Sequence, residues 1–161
     1  MYKIQSFFGA IGNINITSNR QEANFTVSRL DDIVNIIIPH FKSYPLQSAK
    51  KVDFQLWAQC VELMQKKEHL TESGLNAIIS LKSVLNLGKT EKLILNFPYT
   101  KVIVRPEYVV NDTLDPNWVS GFSEGDSSFY VSISDKGIVR VFYQIGLHNR
   151  ETPLLHVLQK F

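Results

Sequence analysis

The stretch 117–129 most constrains what this chain can fold into. Trp118 and Phe122 recur at helical spacing and alternating residues follow them, so the stretch predicts a helix that runs directly into a strand. Gly121 and Gly125 stand four residues apart, so they share one face of that helix and leave it without side chains. Another backbone can approach such a face very closely, because the argument known from membrane helices is steric.

Two acids, Glu124 and Asp126, follow at the C-terminal end of the predicted helix. The helix dipole disfavours negative charge at that end, so a carboxylate held there usually has a compensating cation. The plainer interpretation is a core helix that contains glycine and ends in solvated acids. The flanking sequence is needed to choose between the two.

Length and composition are those of an ordinary globular protein. Of 161 residues, 44% are hydrophobic and 20% are charged, so one domain with a buried core is the simplest expectation. The formal net charge of +2 is compatible with nucleic-acid binding but does not argue for it. The single cysteine, Cys60, excludes an internal disulfide, and the four histidines lack metal-ligand spacing. No apolar run has the length of a transmembrane helix, and we expect no membrane partner.

Polar and apolar residues alternate through residues 13–28 and 129–145, which predicts two β-hairpins. The apolar alternates are expected in the core, and they are Ile14, Ile16, Phe25, Val27, Val131 and Val141. The opposite faces carry the polar alternates, which are Asn13, Asn15, Thr17, Asn24, Thr26, Ser28, Tyr130, Ser132, Arg140 and Gln144.

The polar faces have two interpretations. An exposed antiparallel face is normally polar simply because it meets water. The face of the first hairpin, however, has few Lys or Glu residues and is rich in Asn, Thr and Ser. Asn side chains pair with adenine edges in the major groove, which a two-stranded ribbon fits. We therefore expect the polar faces to contact nucleic-acid bases.

Residues 119–127, Val-Ser-Gly-Phe-Ser-Glu-Gly-Asp-Ser, are similar to the LAGLIDADG motif of homing endonucleases, in particular the form found in mitochondrial group I introns. Ser127 stands where the family usually has glycine. In the family two such helices pack together, and the last acid of each binds a divalent metal at the scissile phosphates. The resemblance implies that Asp126, with Gly125 beside it, binds metal, and hard carboxylate oxygen suits Mg²⁺. It also implies a helix–helix interface made by Trp118, Gly121, Phe122 and Gly125.

A second segment resembles the same family. Residues 44–46, Tyr-Pro-Leu, are followed by Lys50 and then by Asp-Phe at 53–54, as in the loop that delivers a lysine to the family's cleavage centre. The resemblance implies a catalytic role for Lys50, with the adjacent Lys51 as a substitute. A lysine near developing phosphate charge is chemically sensible. Taken alone, an exposed Lys-Lys pair is more often a solvated helix start.

The order of these parts is unusual. A family repeat runs motif helix, hairpin, helix, hairpin and helices, whereas this chain matches about one repeat in permuted order. We expect residues 1–88 to hold the second hairpin and last helices of one repeat, 89–116 an extended connector, and 117–161 a motif helix, hairpin and helix, in one domain overall. The predicted fold class is α+β, with both hairpins in one antiparallel four-stranded, saddle-like sheet covered by helices.

Two functions from different classes fit these features. The first is a site-specific endonuclease that hydrolyses phosphodiester bonds of double-stranded DNA with a divalent metal. The second is a non-cleaving nucleic-acid-binding protein, such as an intron-splicing maturase or an RNA scaffold component, whose sheet binds RNA by backbone and shape. Asp126 favours the enzyme, whereas the permuted order and Ser127 favour the binder.

Cleavage of two strands needs an acid for each strand, whereas one chain carries one motif helix. We therefore expect a homodimer, whose symmetry makes the target a pseudo-palindrome. The N-terminus lacks the composition of a signal or transit peptide, so a protein that works in the mitochondrion is expected to be made there.

Overall fold

Both segments of alternating polarity form antiparallel hairpins in the structure, a computed structural model that describes residues 1–17, 19–85, 88 and 90–161. The chain divides into two compact units. Unit 1 contains residues 1–46 and 51–107, and unit 2 contains residues 47–50 and 108–161. Each unit carries one hairpin together with helices, which confirms the α+β class.

Unit 1 begins with helix α1 (Tyr2–Phe7) and the strands β1 (Asn13–Thr17) and β2 (Glu22–Thr26). Gly12 turns the chain into β1: its φ is +69°, and an added Cβ would lie 2.6 Å from the carbonyl oxygen of Thr26. A continuous helical run follows as α2 (Leu30–Asp32), a π-helical turn (Ile33–Ile37) and α3 (Ile38–Ser43). The later elements are α4 (Lys50–Gln65), whose first residue belongs to unit 2, a 3₁₀ turn (Glu68–Leu70), α5 (Glu72–Lys82) and α6 (Glu91–Asn96).

The core of unit 1 lies on α4 and α5. Apolar residues at helical spacing are buried there, namely Val52, Leu56 and Val61 of α4 and Ile79 and Leu81 of α5. The chain after α6 is tied to these helices by Arg105, whose guanidinium donates to the Asp53 carboxylate at 2.7 Å and to the Val84 carbonyl at 2.6 Å. The predicted extended connector 89–116 thus contains a short helix and a polar anchor within residues 90–116, and its residue 89 lies outside the described residues.

Unit 2 contains the predicted helix that runs into a strand. Helix α7 (Pro116–Asp126) is followed at once by β3 (Ser127–Ile133), and β4 (Val139–Ile145) returns beside it. A 3₁₀ turn (Asn149–Glu151) leads into α8 (Thr152–Lys160), whose Leu154 is fully buried. In the described part of the chain, no helix combines the length and the apolar character needed to cross a membrane.

The pairing of the strands differs from the prediction. The expected four-stranded sheet is replaced, among the described residues, by two separate two-stranded sheets, β1–β2 and β3–β4. Ladder hydrogen bonds there join only strands that are neighbours in the sequence. Alternation of polarity defines the two faces of a strand but carries no information on pairing beyond its own hairpin.

The predicted hairpin core is wrong. Ile16, Val131 and Val141 are 61–79% exposed, and Ile14, Phe25 and Val27 are only half-buried. On the β3–β4 hairpin most of the apolar face is exposed, namely Phe129, Val131, Ile133, Val139, Val141 and Tyr143, and only Ile145 at the end of β4 is half-buried. Alternation identifies the apolar side of a hairpin, but burial requires an element packed against that side, which a local pattern does not specify.

Candidate nucleic-acid interface and acidic helix end

Helix α7 places the acids of the glycine-containing stretch at a defined end. The Asp115 carboxylate caps the helix, because it accepts hydrogen bonds from the backbone N–H of Asn117 at 2.8 Å and of Trp118 at 3.3 Å. Pro116 occupies the first turn, where a missing N–H costs no helical hydrogen bond. The helix ends on Asp126. Sequence analysis missed Asp115, although an Asp before Pro is a recognisable capping signal.

The junction between α7 and β3 is held by serines. The Ser127 hydroxyl donates to the Ser123 carbonyl at 2.6 Å, and the Ser123 hydroxyl is hydrogen-bonded to the Tyr143 hydroxyl at 2.8 Å. Ser127 has a φ of −111°, an extended conformation that does not require glycine. The replacement of the family's glycine by Ser127 therefore leaves the helix-to-strand turn intact and holds the backbone beside Asp126.

Asp126 and its neighbour Glu124 are both exposed. No ion pair of the described residues involves either acid, so the compensating cation that we expected does not come from a side chain there. Nor do the described residues contain a group of three or more His, Cys, Asp or Glu side chains able to hold a metal. One open carboxylate still fits Mg²⁺, because that ion keeps several waters and is bound by one or two carboxylates together with substrate phosphates.

The glycine face of α7 is open. An added Cβ at Gly121 or Gly125 would meet no heavy atom within 4 Å. Beside this face, the rings of Trp118 and Phe122 stack with centroids 4.7 Å apart and planes 14° apart, and both side chains are half-buried. The four residues predicted as a helix–helix interface thus combine a bare backbone with an aromatic pair.

Lys50, the lysine of the predicted cleavage centre, is exposed at the first position of α4. Its backbone N–H donates to the Ser48 hydroxyl at 3.3 Å. Lys50 and Asp126 belong to unit 2, whereas Lys51 belongs to unit 1. Within the described residues no ion pair joins Lys50 to Asp126, so the structure places both groups in one unit without direct contact.

A buried carboxylate holds the segment that carries Lys50. Glu151 is 7% exposed, and its two oxygens accept from the backbone N–H of Ala49 at 3.0 and 3.2 Å. The Tyr108 hydroxyl donates to the same carboxylate at 2.8 Å and lies 3.1 Å from the Arg150 carbonyl. Sequence analysis missed this cluster, because Ala49 and Glu151 are 102 residues apart and neither belongs to a local motif.

The surroundings of Tyr108 predict a pH effect on stability. Burial, followed by the hydrogen bond and charge of Glu151, raises the pKa of Tyr108 to about 12. The ordinary pKa of tyrosine is about 10, so the folded state holds this proton more tightly than the unfolded state. The resulting stabilisation is complete below about pH 10 and disappears as the pH rises towards 12.

We therefore expect the urea midpoint of the wild type to fall between about pH 10 and pH 12 more steeply than that of the Tyr108→Phe variant. Tyr99→Phe is the matched control, because Tyr99 is 98% exposed and should leave the wild-type slope unchanged. Equal slopes for wild type and Tyr108→Phe would contradict this assignment.

The register of β1–β2 assembles the polar face predicted for the first hairpin. Directly opposed residues point to the same side of an antiparallel pair, so Asn13 and Thr26 share that face with Asn15 and Asn24. Thr17 completes the strand face, and Ser28 lies exposed just beyond β2. Thr17 is opposed by Glu22, an acid that sequence analysis did not place on this face.

The register of β3–β4 likewise places Tyr130, Ser132, Arg140 and Gln144 on one face. The Tyr130 hydroxyl donates to Oε1 of Gln144 at 3.1 Å. Phe142, which sequence analysis did not place on this face, opposes Tyr130 and stacks on it with centroids 4.8 Å apart. This face is therefore partly aromatic, whereas that of β1–β2 is built from amides and hydroxyls together with the carboxylate of Glu22.

The structure groups the predicted site residues by unit. The six polar residues of the first hairpin region lie in unit 1, and the four of β3–β4 lie in unit 2. Asp126, Lys50 and the glycine face of α7 also belong to unit 2. The candidate chemistry therefore belongs to one unit, and the candidate base-contacting residues are divided between both.

Comparison with known proteins identifies the family of the chain. The family model described as LAGLIDADG endonuclease matches residues 1–61. "Probable intron-encoded endonuclease 3" of Neurospora crassa is 36% identical over 155 residues, which cover 96% of this chain and 29% of that protein. The match to the relative therefore extends through both units, whereas the family model covers the chain from α1 through most of α4.

Solved structures give the same result for the fold. The homing endonuclease I-SmaMI bound to cleaved DNA matches with a TM-score of 0.90 and 34% identity over 99% of this chain and 55% of its own. I-LtrWI bound to target DNA matches with a TM-score of 0.91 and 37% identity over 98% of this chain and 54% of its own. The chain thus spans about half the length of these enzymes. Its sequence and fold place it in the LAGLIDADG homing endonuclease family.

Proposed function

We propose that this chain acts in site-specific cleavage of double-stranded DNA, as a homing endonuclease of the intron-encoded type. The observation that carries the proposal is the open carboxylate of Asp126 at the end of a glycine-faced helix, in a chain whose relatives include endonucleases solved with DNA. The chain spans 55% of the first of those enzymes, so the activity of the whole is proposed for it rather than transferred.

In this proposal Asp126 is the metal ligand, with Gly125 beside it, and Mg²⁺ is the metal. The carboxylate is exposed and forms no ion pair in the described part of the chain, which leaves its oxygens available to an ion that also binds DNA phosphate. When bound, such an ion stabilises the attacking and leaving oxygens of phosphodiester hydrolysis. Asp126 supplies the negative charge that retains the ion at the end of α7.

Lys50 has a second role in the proposal. Its ammonium group is a point charge on a flexible stem and is exposed at the start of α4. Directed at the scissile phosphate, it stabilises the negative charge that develops in the transition state. Its position in unit 2 with Asp126 supports this role.

The active assembly is proposed to be a homodimer that pairs two α7 helices. Support comes from the open Gly121 and Gly125 face and from the half-buried Trp118–Phe122 stack beside it. Pairing hides that face and brings an Asp126 to each DNA strand. We also propose the mitochondrion as its location, which is supported by similarity to a protein encoded in ND4 intron 1 of Podospora anserina, 36% identical over 72 residues.

A plasmid assay tests the proposed function. DNA selected from a random pool by its binding to the protein is cloned, and nicking of the supercoiled plasmid is followed with Mg²⁺ and with EDTA. We expect cleavage at the selected site that needs the metal. Binding without nicking would favour the non-cleaving alternative, and a pool of RNA tested in parallel would then distinguish RNA from DNA as its ligand.

Base contacts by the polar face give a separate prediction. Asn15→Ala should weaken binding to the selected DNA by on the order of 1–3 kcal/mol and relax preference at a single base pair, because an amide pairs specifically with adenine. Gln159→Ala, which removes an exposed amide from α8, is the control and should change neither the affinity for the selected DNA nor the base preference. Binding that survives alanines at Asn15, Asn24 and Arg140 together would show that the faces are wrongly assigned.

A further inference from the structure

Glu151 is an ionisable side chain that the proposed chemistry does not use, yet it is buried. It ends a 3₁₀ turn at Asn149–Glu151 and is 7% exposed. A carboxylate removed from water is costly unless hydrogen bonds satisfy its oxygens. Burial of Glu151 therefore requires hydrogen-bond partners from outside its own turn.

Ala49 and Tyr108 supply these hydrogen bonds. Both oxygens accept from the backbone N–H of Ala49, the Tyr108 hydroxyl adds a third hydrogen bond, and the Arg150 guanidinium lies 3.8 Å away. Hydrogen bonds to an ionised acceptor are about twice as strong as neutral ones. The carboxylate thus fastens the backbone of Ala49 to a turn that is 102 residues away in the sequence.

The fastened residue immediately precedes Lys50. The segment 47–50 belongs to unit 2, whereas α4 from Lys51 onward belongs to unit 1. Ala49 is 3% exposed, so it is enclosed as well as hydrogen-bonded. The next residue, Lys50, is exposed to solvent. The Glu151–Ala49 hydrogen bonds therefore fix the backbone next to Lys50 within unit 2.

We propose that Glu151 is a positioning residue for DNA cleavage, acting by holding the backbone from which Lys50 reaches the reacting phosphate; this role rests on the proposed function. In this role Glu151 acts through the backbone of Ala49 rather than as a ligand of DNA or metal. A displacement of about 1 Å at a catalytic group costs about 100-fold in rate, so an anchor one residue away has a large effect through geometry alone.

A double-mutant cycle tests the role in the full chain. Glu151→Gln keeps the shape of the side chain but leaves one carbonyl oxygen to accept from Ala49 and loses the charge. We expect it to lower kcat for plasmid nicking on the order of 10- to 100-fold with little change in KM. In a Lys50→Ala background the same change should cost nothing further, because the group that it positions is absent. An equal loss in both backgrounds would overturn the role.

Two measurements distinguish this positioning role from a general loss of folded structure. Exchange of the Ala49 amide hydrogen should become at least about tenfold faster in Glu151→Gln, while amides in the middle of α4 keep their protection. Tyr108→Phe, which removes a donor to Glu151 but leaves the Ala49 hydrogen bonds, should keep kcat within about threefold of wild type. A wild type that nicks DNA but has an unprotected Ala49 amide overturns the positioning role alone, whereas a wild type that does not nick overturns the proposed function with it.

Discussion

Asp126→Ala should reduce nicking of the selected plasmid by a factor on the order of 10³ or more while leaving DNA binding intact. Asp126 is the last residue of α7 and is exposed, so its removal disturbs no core packing. Binding should even tighten slightly, because one negative charge is removed from a surface that meets phosphates. Single-turnover nicking rates and gel-shift affinities, measured on the same preparations, provide the two readouts.

The matched control is Glu124→Ala, which removes an equally exposed carboxylate two residues earlier. We expect it to nick within about tenfold of wild type, because charge near the site matters less than direct ligation. Asp126→Asn adds an isosteric comparison and should be almost as inactive as Asp126→Ala, since a neutral amide oxygen retains Mg²⁺ poorly. If Asp126→Ala and Glu124→Ala lose activity equally, Asp126 has no special role.

Gly121→Leu should abolish assembly and double-strand cleavage together. The reason is steric: the proposed pairing needs close approach of two α7 backbones, and a leucine at this position separates them. The chain itself should accept the change, because an added Cβ at Gly121 meets no heavy atom within 4 Å and leucine favours helix more than glycine does. A loss of function therefore reports on pairing rather than on unfolding. Sedimentation velocity and conversion of plasmid to linear DNA are the measurements.

Ser120→Leu is the control for this experiment. Ser120 is exposed, and at about 100° per residue it faces well away from the glycine face. The Ser120→Leu variant should remain dimeric and should cut both DNA strands. A wild-type monomer that linearises the plasmid would disprove the homodimer, as would a Gly121→Leu variant that assembles normally.

The sequence predicted local structure better than burial. The α7–β3 junction followed from the spacing of Trp118 and Phe122 and from the alternation after it, and the structure has that junction at Asp126 and Ser127. The face assignments in both hairpins also follow the register, since residue alternation and strand pleating have the same period. The sequence did not predict that Val131 and Val141 are exposed, because the pattern of a strand does not specify which element packs on its apolar side.

In the candidate site, too, the sequence predicted the residues of local motifs but not the contacts between distant residues. Asp126 and Lys50 were predicted because each belongs to a contiguous motif that resembles a known family, and their catalytic roles stay predictions. The anchor of Lys50 was not predictable in that way, since Glu151 meets Ala49 only in the folded chain. Phe142 was missed for a simpler reason: an aromatic residue among polar alternates breaks the pattern that was used to define the face.

The long separation of Glu151 and Ala49 also affects the order in which the protein becomes competent during synthesis. Their hydrogen bonds close a loop of 102 residues, a contact whose entropic cost must be met before it stabilises anything. Ribosomes add residues from the N-terminus, so α4 has been made long before the carboxylate that holds Ala49, the residue preceding this helix, emerges. A nascent chain therefore carries Lys50 on an unanchored backbone until Glu151 has been made and has reached Ala49. The position of Lys50 is therefore fixed only after the 3₁₀ turn at Asn149–Glu151 has formed, so any activity that depends on Lys50 arises well after α4 has been synthesised.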